Sequence, residues 1–119
     1  MQEDKSKMET KPIITVMGIK CAPGLEEEFD KWYMEVHLPN ILKSPTCDGI
    51  THYRKLPTAP DEAPTFVTMA EFKDREAYAK HHNGPELAAA RKIMDARWTD
   101  KDYKLIWRGV FEPIKSWHK

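Results

Sequence analysis

Residues 24–39 read GLEEEFDKWYMEVHLP, and they set the frame for the rest of the chain. Glu26, Glu27 and Glu28 stand where a helix dipole favours negative charge. Leu25, Phe29, Trp32 and Val36 recur at four, three and four residues, which is one helical stripe. The spacing predicts a helix that begins after Gly24, ends or kinks at Pro39 and is stopped by Pro45. Upstream, Pro12 to Lys20 carries the run Ile13, Ile14, Thr15, Val16, with the length of a strand covered on both faces. Downstream, Cys47-Asp48-Gly49 is a turn signal, and Ile50 to Leu56 reads as a second strand.

Further along, the proline-rich stretch Pro57 to Pro64 is a loop. Thr65 to Lys73 alternates as a third strand, with Phe66, Thr68, Ala70 and Phe72 on one side. Asp74 is placed to cap a second helix, which pauses at His81-His82-Asn83-Gly84-Pro85. The helix resumes at Pro85, a natural first-turn residue, and Leu87, Arg91, Met94 and Trp98 mark one face of it. Asp102 to Pro113 is the last strand, with Tyr103, Leu105, Trp107, Gly109 and Phe111 expected on one face. Residues 1–11 are polar and charged and read as a disordered tail ahead of a single domain over 12–119.

The order strand, helix, strand, strand, helix, strand is the split βαβ arrangement of ferredoxin-like α+β folds, with a four-stranded antiparallel sheet. Two helices cover only one face of such a sheet. The other face carries large apolar groups, and soluble monomers seldom expose a contiguous apolar patch of several hundred Å². Two sheets packed face to face in a two-fold homodimer would hide it. The apolar segment Phe111 to Trp117 is expected to lie across the partner subunit.

The totals exclude several classes. Lys plus Arg and Asp plus Glu both number 19 in 119 residues, so the basic excess of a nucleic-acid binder is missing. No apolar run approaches the roughly 20 residues needed to cross a bilayer, and the start of the chain lacks the apolar centre of a secretion signal. A cytoplasmic protein without membrane contact is expected. Cys21 and Cys47 are isolated thiols, read as reduced and structural, with Cys47 the more reactive.

The helix also carries a more specific pattern. Trp32 is followed five residues later by His37, and Pro39 stands two further on. This stretch, with the Gly49 to Tyr53-Arg54 entry to the second strand, resembles the EthD-like group of dimeric α/β-barrel proteins. The resemblance implies a ferredoxin-like dimer with a small-molecule pocket in each subunit, between helices and sheet. Members include polyketide cyclases, cofactor-free monooxygenases, lactone isomerases, dehydratases and decarboxylases. The chain departs from the commoner members in its long Pro57 to Pro64 loop and in the break at His81 to Pro85, so substrate class does not carry over.

Among residues able to do chemistry, His37 comes first, because it closes the helical stripe and can move a proton near neutral pH. On the second strand, His52 and Arg54 share a face and Tyr53 takes the other. Tyr53 is preferred as the partner of His37, since it buries more easily than His52 or Arg54. His81 and His82 lie at a helix break of the kind that lines a pocket mouth. These four, His37, Tyr53, His81 and His82, are the expected catalytic set. Trp32, Asn40, Phe66, Tyr78, Trp98 and Trp107 are the expected ligand contacts, forming an aromatic-lined cavity.

The histidines show no HxH or HExxH spacing, and no phosphate-binding glycine loop occurs, so neither metal nor nucleotide cofactor is expected. The leading expectation is a cofactor-independent acid–base enzyme acting on a small hydrophobic or aromatic carbonyl or phenolic compound. Cyclase, isomerase, dehydratase, decarboxylase and lyase chemistry all fit. The alternatives are a non-catalytic or stress-related ligand-binding protein, a cofactor-free monooxygenase, and a haem-binding protein using His37 or His81.

Overall fold

The β-branched run forms β1 (Ile13–Cys21) in a computed structural model that describes residues 11–119. The stretch read as a tail therefore lies, Lys11 apart, outside the described residues. The first helical segment has three parts: α1 (Glu26–Trp32), a π-helical turn (Tyr33–His37) and α2 (Leu38–Ile41). Then come β2 (Gly49–Arg54), β3 (Phe66–Phe72), α3 (Arg75–His82), α4 (Pro85–Arg97) and β4 (Tyr103–Phe111). The strands form one sheet in the order β2-β3-β1-β4, antiparallel at every pairing, which is the ferredoxin-like arrangement.

Local signals behave as their chemistry requires. The Asp74 carboxylate accepts a hydrogen bond from the Ala77 N–H at 2.8 Å and caps α3. Pro85 starts α4, where its missing N–H costs nothing. Between the two helices the backbone turns so tightly that a Cβ on Gly84 would stand 2.8 Å from the Lys80 carbonyl oxygen.

The π turn shifts the buried stripe of the first helix. The buried residues are Phe29, Asp30, Tyr33, His37, Leu38 and Ile41, in place of the expected line through Trp32 and Val36. Successive four-residue steps drift around a regular α-helix by about 40° each. The wider π turn absorbs that drift, so Phe29, Tyr33, His37 and Ile41 all point at the sheet. Phe29 anchors the main core, its ring 5.4 Å from Tyr33, 5.2 Å from Trp98 and 5.1 Å from Tyr103.

A register shift corrects the expectation for β4. Gly18 pairs with Trp107, but Ile19 pairs with Leu105, so Ile106 is an extra residue. Tyr103 and Leu105 consequently face the helices. Trp107 lies on the opposite face, over Gly18, where a Cβ would stand 2.7 Å from the indole Cε2. That outer face also presents Ile14, Val16, Val67, Met69, Tyr53 and Phe111, all half-buried or exposed. Past β4, Ile114 and Trp117 are 97% and 79% exposed.

Candidate functional site

The sheet offers the helices a row of side chains that crosses all four strands. His52 pairs with Thr68, Thr68 with Met17, and Met17 with Arg108. Thr68, Met17 and Arg108 from this row, with Thr15, Ala70 and Val110 from the next, floor a cavity of about 100 Å³. His37, Leu38 and Ile41 wall it on one side, and Tyr78, His81, His82, Leu87 and Arg91 on the other. A second cavity of about 110 Å³ adjoins it, reached by Tyr33, Met94, Tyr103 and Leu105. Met17, His37, Arg91 and Arg108 belong to both, so His37 stands at the junction of a two-lobed space.

His37 is 5% exposed, and its Nδ1 has no hydrogen-bond partner. Its ring lies 4.9 Å from that of Tyr33. Burial, reinforced by the Arg91 guanidinium, pushes its pKa down to about 4, against smaller upward pulls from the Ala90 carbonyl and Asp95. Near neutral pH it is an uncharged imidazole, able to accept a proton. His81 is also buried with an unpartnered Nδ1, and burial, Arg91 and His82 lower its pKa. The Tyr78 hydroxyl lies 3.4 Å from His82 Nδ1, at the long limit of a hydrogen bond. Burial raises the Tyr33 phenol to about 12. Its hydroxyl approaches Thr68 without reaching hydrogen-bonding geometry.

Neither Arg91 nor Arg108 has a carboxylate within ion-pairing distance among the described residues. The two-lobed space therefore combines a floor of mixed polarity, an uncharged imidazole and two arginines, with the Asp95 carboxylate lining the second lobe. Among the described residues no three His, Cys, Asp or Glu side chains stand together as metal ligands would.

A hydrogen-bonded chain runs beside this space. His52 Nε2 lies 2.7 Å from Asp30 Oδ1, and His52 Nδ1 lies 2.9 Å from Thr68 Oγ1. The His52 ring packs against Tyr33, at 5.2 Å, and Phe66, at 5.3 Å. These four partners come from α1, the π turn and β3, and they leave the ring on β2 little freedom.

Of the expected catalytic residues, His37, His81 and His82 share the cavity, but Tyr53 does not. His52 takes the helix-facing position, so Tyr53 points to the outer face and is 48% exposed. Asp30 reverses the burial argument used for that strand, because a carboxylate on the helix makes His52 easier to bury than an unpartnered Tyr. Of the expected ligand contacts, Tyr78 lines the cavity. Phe66 and Trp98 are core residues, and Trp32 packs half-buried against the same core. Trp107 is on the outer face, and Asn40 lies in a shallow outer depression with Lys43, Pro85 and Glu86. Arg91, Arg108, Thr68 and Asp30 were not expected. Arg91 had left a signal, as a cation in an otherwise apolar helical stripe.

No protein-family model and no curated protein sequence matches the chain. Solved structures do. An EthD-family protein from Bacillus halodurans superposes with a TM-score of 0.64 at 16% identity, covering 86% of this chain and 99% of its own. SnoaB from Streptomyces nogalater, described as a cofactor-independent oxygenase, superposes with a TM-score of 0.63 at 15% identity, covering 89% and 96%. A dimeric ferredoxin-like protein of unknown function from Thermobifida fusca gives 0.62 at 12% identity, covering 87% and 91%. At these identities the likeness establishes the ferredoxin-like fold and leaves the reaction to be argued from the site.

Proposed function

We propose that this chain binds a small aromatic or carbonyl compound between its helices and sheet and transforms it by proton transfer, with His37 as the base and no cofactor. The observation that carries this reading is His37 itself: a buried imidazole, uncharged at neutral pH, lining a cavity that also holds Arg91 and Arg108. The step moves a proton from a carbon acid or phenol of the ligand to the ring. The resulting enolate or phenolate oxygen is stabilised by an arginine, whose charge is worth more in a partly desolvated site than in water. Cyclisation, isomerisation, dehydration and decarboxylation share this step. A cofactor-free oxygenase is the second reading, favoured by the likeness to SnoaB, because the same carbanion would be the species that meets oxygen.

The outer sheet face supports a homodimer. It presents Trp107, Phe111 and Tyr53 to solvent beside Val16, Val67 and Met69, and one of the similar structures is described as dimeric. Burying that face against a second copy removes an apolar patch that a soluble monomer seldom keeps.

The test is a histidine-resolved NMR titration with a panel of small aromatic acids and ketones. His37 signals should move when a ligand binds, and a His37→Gln variant should keep its fold while losing turnover of any compound the native protein converts. Ligands that bind while leaving every His37 signal in place would sink the reading.

A further inference from the structure

The chain Asp30–His52–Thr68 ends at the cavity and has no part in the His37 step. Asp30 and Thr68 are 7% and 5% exposed, and the His52 ring is fixed at both nitrogens and packed against two aromatic rings. An ionised carboxylate only accepts, so the 2.7 Å contact places a proton on His52 Nε2. In the neutral ring Nδ1 then carries the lone pair, and the Thr68 hydroxyl must donate to it at 2.9 Å. Thr68 Oγ1 is left with its lone pairs. The residue that meets the ligand thus offers an acceptor backed by a base, and that base is backed by a buried carboxylate. Packing alone gives no reason to bury three polar side chains in this order, since an apolar row across the strands would avoid the desolvation cost.

We propose that Asp30, His52 and Thr68 form a proton relay that ionises a hydroxyl group of the bound ligand. The inference rests on the cavity reading above and deepens it by requiring a phenolic or enolic O–H in the substrate. In the step, the ligand hydroxyl proton passes to Thr68 Oγ1 as the Thr68 proton passes to His52 Nδ1. The ligand is left as an oxyanion, Thr68 is regenerated as a hydroxyl, and His52 becomes an imidazolium paired with the Asp30 carboxylate. Arg108 and Met17 follow in the same cross-strand row, so a cation stands two strands from Thr68 on the cavity floor. Thr68 touches the ligand, whereas His52 and Asp30 act through it and are positioning and relay residues. The site then holds two separate proton acceptors, His37 from the helices and Thr68 from the sheet.

The probe is 4-nitrophenol, whose phenolate absorbs in the visible. Its ionisation is followed by absorbance at saturating full-length protein, across the pH range in which the free phenol titrates. Bound to the native protein it should be at least about tenfold more ionised, at a given pH, than when bound to Thr68→Val, a difference typical of one hydrogen bond to a charged group. Thr68→Ser should behave like the native protein. Asp30→Asn, which keeps the Thr68 hydroxyl but removes the charge that holds the imidazolium, should lose the extra ionisation as Thr68→Val does. Equal ionisation in native protein and Thr68→Val, or full retention in Asp30→Asn, overturns the relay while leaving the cavity in place. Failure of the native protein to bind the phenol, with the His37 signals unmoved by it and by the wider panel, removes both readings together.

Discussion

His37 and His81 reach one cavity from two different helical segments, and each keeps a buried Nδ1 with no hydrogen-bond partner. A fold tolerates such orphaned polar atoms at a cost of about 1–3 kcal/mol each, so two in one space are a considerable concession for a small domain.

Acid should destabilise the protein through His37. Its folded pKa of about 4 lies below the unfolded value of 6.5, so the unfolded chain binds the proton first as pH falls. The stabilising contribution is fully present above 6.5 and is lost progressively as pH drops toward 4, on the order of 3 kcal/mol in all. Thermal melts across this window should show Tm falling with pH, and His37→Gln should flatten the dependence without removing the share due to His81.

Arg91 depresses both cavity histidines by its charge. Replacing it with methionine, which keeps most of the stem, should raise the pKa of each. NMR titration of the ring protons reads this directly. Unchanged values would mean that burial alone sets them.

Gly18 cannot carry a side chain without moving Trp107. Gly18→Ala should cost about 1–3 kcal/mol, the usual range for forcing atoms into occupied space, and should shift tryptophan fluorescence. Gly49→Ala is the matched control, because nothing lies within 4 Å of a Cβ there. It should be neutral or stabilising by up to about 1 kcal/mol.

A charge on the outer sheet face should separate the subunits. Val67→Arg places a guanidinium among half-buried apolar residues and leaves the helix-facing row untouched. Sedimentation should give twice the chain mass for the native protein and one chain mass for the variant, with circular dichroism unchanged.

Both thiols should be slow to alkylate at neutral pH. Burial, helped by Glu26 and Asp30, pushes Cys21 up to about 12, and burial also raises Cys47. Mass spectrometry after brief iodoacetamide treatment should find the native protein largely unmodified, and fully modified after unfolding.

Much of the fold was legible because apolar spacing and turn chemistry are local. The run at Ile13–Val16, the alternation from Phe66 to Phe72, the Asp74 cap and the Pro85 restart each specify an element on their own. The lining of the cavity was legible in part. His37, His81, His82 and Tyr78 could be picked out as unusual residues at the inner end of a helix or at a helix break. What was hidden depends on pairing between distant segments. Whether Tyr53 or His52 faces the helices turns on Asp30, 22 residues away in sequence. The position of Trp107 turns on one extra residue in β4, and the buried line through Tyr33 and His37 turns on a widened helical turn that leaves no mark in composition.

The bulge at Ile106 also divides β4 into two lengths that answer to different neighbours. Tyr103 and Leu105 meet the helices, whereas Trp107 and Phe111 meet whatever covers the outer face. Changes at 107 and 111 can therefore accumulate without disturbing the packing at 103 and 105. Descendants of one gene could acquire mutually exclusive partners on the outer face while keeping the same cavity between helices and sheet.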